Sequence, residues 1–197
     1  MKRQLVGAAL AVFLILSQPA HAGAPQDTVQ ANVNKVLDVL RDPALKAESA
    51  KQTKKEKLRI IYDRMFDDVE LSRRTLARNW NKLSVPQRQE FVQLFRQVLE
   101  KAYVDKILSY TDEKIVYDKE SMLSANQSEV PTRVVTSSKS IPISYRVIMK
   151  DGVWKVYDVI IENVSLIQNY RTQFNDILVK DTPEQLLETL RKKVKEQ

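Results

Sequence analysis

The chain has no cysteine among its 197 residues and one histidine, His21. Long apolar runs are also scarce: one lies near the start, and nothing later approaches the roughly 20 residues a helix needs to cross a bilayer. Each scarcity excludes something. Without cysteine there is no disulfide framework, no thiol nucleophile and no thiolate metal site. His21 falls in a leader-like segment, so the rest of the chain lacks an imidazole for a Ser-His-Asp arrangement or for the usual zinc sites. An enzyme made from this chain would have to work with carboxylates, Lys, Tyr or Ser. No metal and no cofactor is expected.

What is present begins with that leader. Lys2 and Arg3 precede an apolar run from Leu5 to Leu16, and Ala20-His21-Ala22 has the small-x-small form of a signal-peptidase site. The expectation is a cleaved signal peptide over residues 1–22 and one domain over residues 23–197, exported to a periplasm. The 175 residues left after cleavage suffice to bury a core without covalent staples. The formal charge of +7 falls to +5 with the loss of Lys2 and Arg3. Such an excess suits anionic partners, head groups among them. No nucleic-acid motif accompanies the basic residues, and nucleic acid is not an expected partner.

Hydrophobic spacing divides the chain into helices, then strands, then helices. Val33, Val36, Leu37 and Leu40 recur at helical intervals, and Asp42-Pro43 ends the pattern. Leu58, Ile61, Tyr62, Met65 and Phe66 repeat it, and a shorter helix carries Leu71, Leu76 and Trp80. Ser84 with Gln87 forms a capping box with Pro86 in the first turn, opening a helix of about six turns through Phe91, Phe95, Val98, Leu99 and Leu108. After Tyr110 the period changes. Lys114 to Lys119 alternates weakly, Val130 to Thr136 and Ile141 to Lys150 read as strands, and Asp151-Gly152 is a two-residue hairpin signal. The strand that follows, Val153 to Ile161, is apolar on both parities, as if covered on both faces. Ser165 with Gln168, and Thr182 with Gln185, announce two closing helices. The fold class is α+β: a helical part plus an antiparallel sheet of about four strands. A sheet curled around a helix and enclosing an apolar pocket satisfies the pattern.

Few residues invite a chemical reading. Asp67, Asp68 and Glu70 could hold a cation, but at a helix junction they cap the next helix. Asp158, among apolar neighbours, could be a general base or the partner of Arg146; with a two-residue turn, Arg146 is expected opposite Lys155 or Val156 and diagonal to Asp158. Trp80 and Trp154 read as core. Asn169 and Arg171, early in their helix, should face solvent or a partner.

Several segments, taken in order, resemble one family. They are Arg73-Arg74 with Leu76-Ala77-Arg78-Asn79-Trp80; Gln87-Arg88-Gln89-Glu90-Phe91 with Phe95; Trp154-Lys155-Val156-Tyr157-Asp158-Val159; and Val164-Ser165-Leu166 followed by Asn169-Tyr170-Arg171-Thr172-Gln173-Phe174. Together, from about Lys57 to Leu190, they are similar to the MlaC family, also known as the toluene-tolerance or Ttg2-type auxiliary proteins. Asn163 departs from the Gly common before Val-Ser, although Asn tolerates the positive φ of a turn. The resemblance implies an NTF2-like curled sheet and a non-enzymatic, monomeric periplasmic phospholipid carrier. It also implies two partners, an outer-membrane lipoprotein–porin complex and an inner-membrane ABC transporter with an MCE subunit, in a system that maintains outer-membrane lipid asymmetry.

Apolar pattern, not a family motif, selects the candidate acyl-chain residues: Leu76, Trp80, Phe95, Leu108, Tyr145, Val147, Val159, Ile161, Val164 and Ile167. Arg146, Lys155 and Arg171 are candidates for a basic head-group rim. Two alternatives stay open: a small-molecule enzyme on such a pocket with Asp158 as base, and an interaction module with a solid core.

Overall fold

A bulge in one strand sets its register against its neighbour, and most of the helices begin where local sequence caps them. The computed structural model describes residues 24–110 and 113–196; the expected signal peptide lies outside them. The described helices are α1 (Pro25–Arg41), α2 (Lys51–Met65), α3 (Asp68–Leu76), α4 (Val85–Leu108), α5 (Leu166–Lys180) and α6 (Pro183–Glu196). The strands are β1 (Lys114–Tyr117), β2 (Ser121–Ser124), β3 (Gln127–Val135), β4 (Ser140–Lys150), β5 (Val153–Ile161) and β6 (Val164–Ser165).

Capping explains where most of the helices begin. Ser84 Oγ accepts from the Gln87 amide at 3.4 Å while Gln87 Oε1 accepts from the Ser84 amide at 2.9 Å, the reciprocal pair that starts α4. Thr182 and Gln185 make the same exchange before α6. At α5 only half of the expected box forms: Ser165 Oγ accepts from the Gln168 amide and donates to Asp158. Asp67 caps α3 by accepting from the Glu70 amide at 3.0 Å, the role read from sequence for that acidic stretch. Trp80 lies beyond α3, in a short 3-10 segment from Ala77 to Lys82.

The sheet is antiparallel throughout, in the order β1-β3-β4-β5-β6, with β2 beside the other end of β3. The short β2 and β6 extend the four strands expected. Asp151 and Gly152, with φ of 51° and 78°, make the tight turn between β4 and β5. Glu162 and Asn163, φ 49° and 67°, make another before β6, so Asn163 adopts the left-handed backbone anticipated for it.

β5 answers the puzzle of its two-sided apolar pattern. Met149 pairs with Trp154, Val147 with Val156, Tyr145 with Val159 and Ile143 with Ile161, and the register shifts between Arg146 and Val147. The extra residue, Tyr157, is a β-bulge that changes the parity of everything after it. Trp154, Val156, Val159 and Ile161 therefore share one face although their numbers change from even to odd. The same shift corrects the expected partner of Arg146. Asp158 stands directly opposite it, while Lys155 and Val156 face Ile148 and Val147.

The core lies between this face and the helices. Phe91, Phe95 and Val98 of α4 are fully buried. The Phe95 ring meets those of Tyr170 and Phe174 edge-on, with centroids 5.0 and 5.3 Å apart. Leu186, Leu187 and Leu190 of α6 close the far side, and Arg191 clasps Glu90 of α4 through two hydrogen bonds of 2.7 and 3.0 Å. α1 packs against β3, and α2, α3 and α5 pack against β5.

Candidate functional site

Strand register places a continuous band of side chains on the inner face. β1 contributes Ile115 and Tyr117, opposite Val134 and Thr132 of β3; these in turn oppose Ile141 and Ile143 of β4, and Val130 opposes Tyr145. The middle of the band is sealed, with Val130, Val147 and Val156 inaccessible to solvent. Toward β1 and the far end of β4 the cover thins. Ile115, Tyr117, Ile143, Tyr145 and Ile161 remain half-buried against the core.

This band carries no charged side chain between Ile115 and Ile161. Its small polar groups are satisfied by the chain: Thr132 Oγ1 donates to the Ile143 carbonyl at 2.7 Å, and Ser128 Oγ to the Ser121 carbonyl at 3.0 Å. Burial pushes the Tyr117 hydroxyl up to about 12. Burial, then the neighbouring Tyr117 and Tyr110, raises that of Tyr145 further. Both phenols are therefore neutral across the physiological range. The face can hold an apolar guest and can donate hydrogen bonds, but it offers neither a charge nor a base.

The candidate acyl-chain residues distribute unevenly. Tyr145, Val147, Val159 and Ile161 share the inner face. Leu76, Phe95 and Ile167 are buried in the main core, and Trp80 packs against it. Leu108, at the end of α4, borders a surface hollow with Lys46, Lys51 and Lys54. Val164 is 55% exposed on β6. Sequence reading missed Ile115, Tyr117 and Ile143. The available signal was the weak alternation after Lys114, which puts Ile115 and Tyr117 on one parity.

The three candidate rim residues are held elsewhere. Strand alternation puts Arg146 and Lys155 on the opposite face of the sheet. Arg146 donates to Glu129 at 2.9 Å, and Lys155 to the Arg64 carbonyl. Arg171 donates twice to the Arg74 carbonyl, at 3.2 and 2.6 Å, and borders a surface hollow of about 580 Å³ with Arg73, Arg74 and Trp80. Arg74 in turn lies 4.0 Å above the bulged Tyr157 ring.

Asp158 is 1% exposed and fully engaged. One carboxylate oxygen accepts from Ser165 Oγ at 2.7 Å and lies 3.7 Å from the Arg146 guanidinium, and the other accepts from the Ile167 amide at 3.1 Å. It ties β5 to the start of α5 and to β4. Both oxygens of this carboxylate are engaged by groups of the chain itself. Among the described residues, no group of three or more acidic or His side chains is placed to hold a metal.

Comparison with known proteins places this architecture. The sequence model of the MlaC protein matches residues 30–192. The chain belongs to the MlaC family. It is 24% identical over 174 residues to the toluene tolerance protein ttg2D of Pseudomonas putida, covering 87% of this chain and 80% of that protein. It is 26% identical over 112 residues to the intermembrane phospholipid transport system binding protein MlaC of Haemophilus influenzae, covering 54% of this chain and about half, 52%, of that protein. Among solved structures, the phospholipid-binding protein from Ralstonia solanacearum, in complex with a phospholipid, matches with a TM-score of 0.77 and 22% identity, covering 87% of this chain and 97% of that one. At that identity the match establishes the fold: MlaC-type helices around a curled antiparallel sheet.

Proposed function

We propose that the protein is a periplasmic phospholipid carrier that takes a lipid from one membrane-bound complex and delivers it to another. The observation that carries this reading is the uncharged, half-covered inner face, from Ile115 and Tyr117 to Ile143, Tyr145 and Ile161, in a chain of the MlaC family. The relatives' names, one a phospholipid transport binding protein and one a phospholipid-binding protein, support it. Among the described residues no helix is long and apolar enough to cross a membrane.

The mechanism follows from magnitudes. Withdrawing about 15 methylenes on each of two chains from water is worth roughly 20 kcal/mol. A lipid so bound does not leave by dissolving. It passes to another apolar site, because only the difference between two such sites then opposes transfer. The tails lie on the inner face against Ile115, Ile143, Tyr145 and Ile161, and they enter by displacing these half-covered side chains rather than the sealed core. The head group stays wet. The donor and acceptor are an outer-membrane lipoprotein–porin complex and an inner-membrane ABC transporter with an MCE subunit, served by a monomeric carrier.

Native mass spectrometry of the protein isolated from its own periplasm tests the reading. The expected spectrum contains a species heavier by one two-chain phospholipid, strongly depleted in Ile143→Asp. Folded wild-type protein that arrives lipid-free and takes up none from phosphatidylethanolamine–phosphatidylglycerol vesicles would overturn it.

A further inference from the structure

Among the described residues, two buried side-chain polar atoms have no hydrogen-bond partner: the Tyr117 hydroxyl and the Trp154 ring nitrogen. Both residues lie on the inner sheet face, but they differ in access. Trp154 is 6% exposed, sealed within the core, whereas Tyr117 is half-buried on β1 at the edge of the band. A donor sealed from water and left unpaired is a standing cost to the folded state, and such groups are few in native proteins. The two other hydroxyls of the β3 part of this face, Ser128 and Thr132, are both satisfied by backbone carbonyls. The unpaired phenol is therefore not a general property of the surface.

Tyr117 also has company. Its β3 partner Thr132 is two residues from Val130, which pairs with Tyr145, so the two tyrosines are diagonal neighbours across β3. Tyr145 feels both Tyr117 and Tyr110, and Tyr110 stands just beyond the C-terminus of α4 beside Glu113. The side chains beside Tyr117 on this face, Ile115, Val130, Thr132 and Val134, carry no charge. A phenol in such surroundings suits a neutral carbonyl acceptor better than a phosphate. The residue stands on the terminal strand of the sheet, where the cover of the apolar band thins, with its hydroxyl turned in from solvent; an acyl chain joins its glycerol at such a boundary.

We infer that Tyr117, with Tyr145 beside it, donates a hydrogen bond to an acyl-ester carbonyl of the bound lipid, making the site selective for ester-linked over ether-linked chains. The inference rests on the carrier reading. Lipids that differ only at that linkage carry the same head group and chain length, so burial of the tails cancels between them.

The test offers wild-type protein and Tyr117→Phe an equimolar mixture of diacyl and di-O-alkyl phosphatidylglycerol of equal chain length and reads the bound ratio by native mass spectrometry. One hydrogen bond corresponds to a preference of about 3- to 10-fold for the diacyl lipid in the wild type, falling to about 1 in the variant. The lipid-free variant should melt at or above the wild-type temperature, because an unpaired buried donor has been removed. An unchanged ratio in Tyr117→Phe overturns the assignment and leaves the carrier standing, as does a wild-type ratio of 1. A variant that melts well below wild type shows that the hydroxyl has a structural partner and also overturns it. Wild-type protein that captures neither lipid removes both readings.

Discussion

The two ends of the apolar interior are built from similar residues and finished differently. At the α4–α5–α6 end, Phe91, Phe95, Phe174 and Leu186 interlock until almost nothing remains exposed. At the β1 end, Ile115, Tyr117, Ile143 and Tyr145 are equally apolar but only half-covered. The difference lies in what lies over them. Three helices converge on the first region, whereas α1 packs against β3 near the second. On the proposed reading this division suits a carrier, since hydrocarbon must come and go at a surface on which folding depends less.

Several measurements can break or sharpen that contrast. Phe95→Ala should cost about 3–5 kcal/mol in urea denaturation, while Ile143→Ala should cost about 1–2 kcal/mol and impair lipid retention instead. Equal losses at the two sites would dissolve the distinction between a sealed and a yielding half. At the seam between sheet and closing helices, Asp158→Ala strands the Ile167 amide and the Ser165 hydroxyl and should cost about 1–3 kcal/mol. A stable Asp158→Ala protein that has lost a measurable catalytic turnover would instead revive the enzymatic alternative. Ser84→Ala, at the start of the helix that anchors the sealed half, should lower stability by about 1 kcal/mol and leave lipid content alone.

The smallest expected effect is a change of slope with pH. Burial works against the charged form of Asp67, but hydrogen bonds from Lys150, at 2.8 Å, and from the Glu70 and Val69 amides outweigh it and hold the carboxyl below its ordinary value of 3.8. A carboxylate depressed in the folded state adds stability above its unfolded value, and that contribution is lost as pH falls through the folded one. Wild-type urea midpoints should therefore fall more steeply below about pH 4 than those of Lys150→Met. Parallel curves would show that this exposed lysine contributes nothing to the strap between α3 and the β4–β5 turn.

Most helix starts were legible because a cap is a local contract between residues three apart. Ser84 with Gln87 and Thr182 with Gln185 needed no knowledge of the rest of the chain. The Asp151-Gly152 turn was equally local, since a positive φ at both positions restricts the residues that can stand there. The inner face was only partly legible. Tyr145, Val147, Val159 and Ile161 were picked out and do share it, whereas Ile143 was overlooked between Pro142 and Ser144. Arg146 and Lys155 were grouped with these residues for their charge, yet alternation turns them to the other side.

From residue order alone came the family likeness, the α+β succession and the caps, because each depends on neighbours along the chain, and from composition alone the lack of cysteine. The tertiary structure decided the rest. One additional residue at Tyr157 slips the β4–β5 pairing, brings Arg146 opposite Asp158, and gathers Trp154, Val156, Val159 and Ile161 onto one surface. Pairing across strands is a long-range equilibrium among many contacts, and no local rule marks where a ladder will take up an extra residue. Which apolar side chains are sealed and which stay half-covered depends in the same way on where distant helices come to rest.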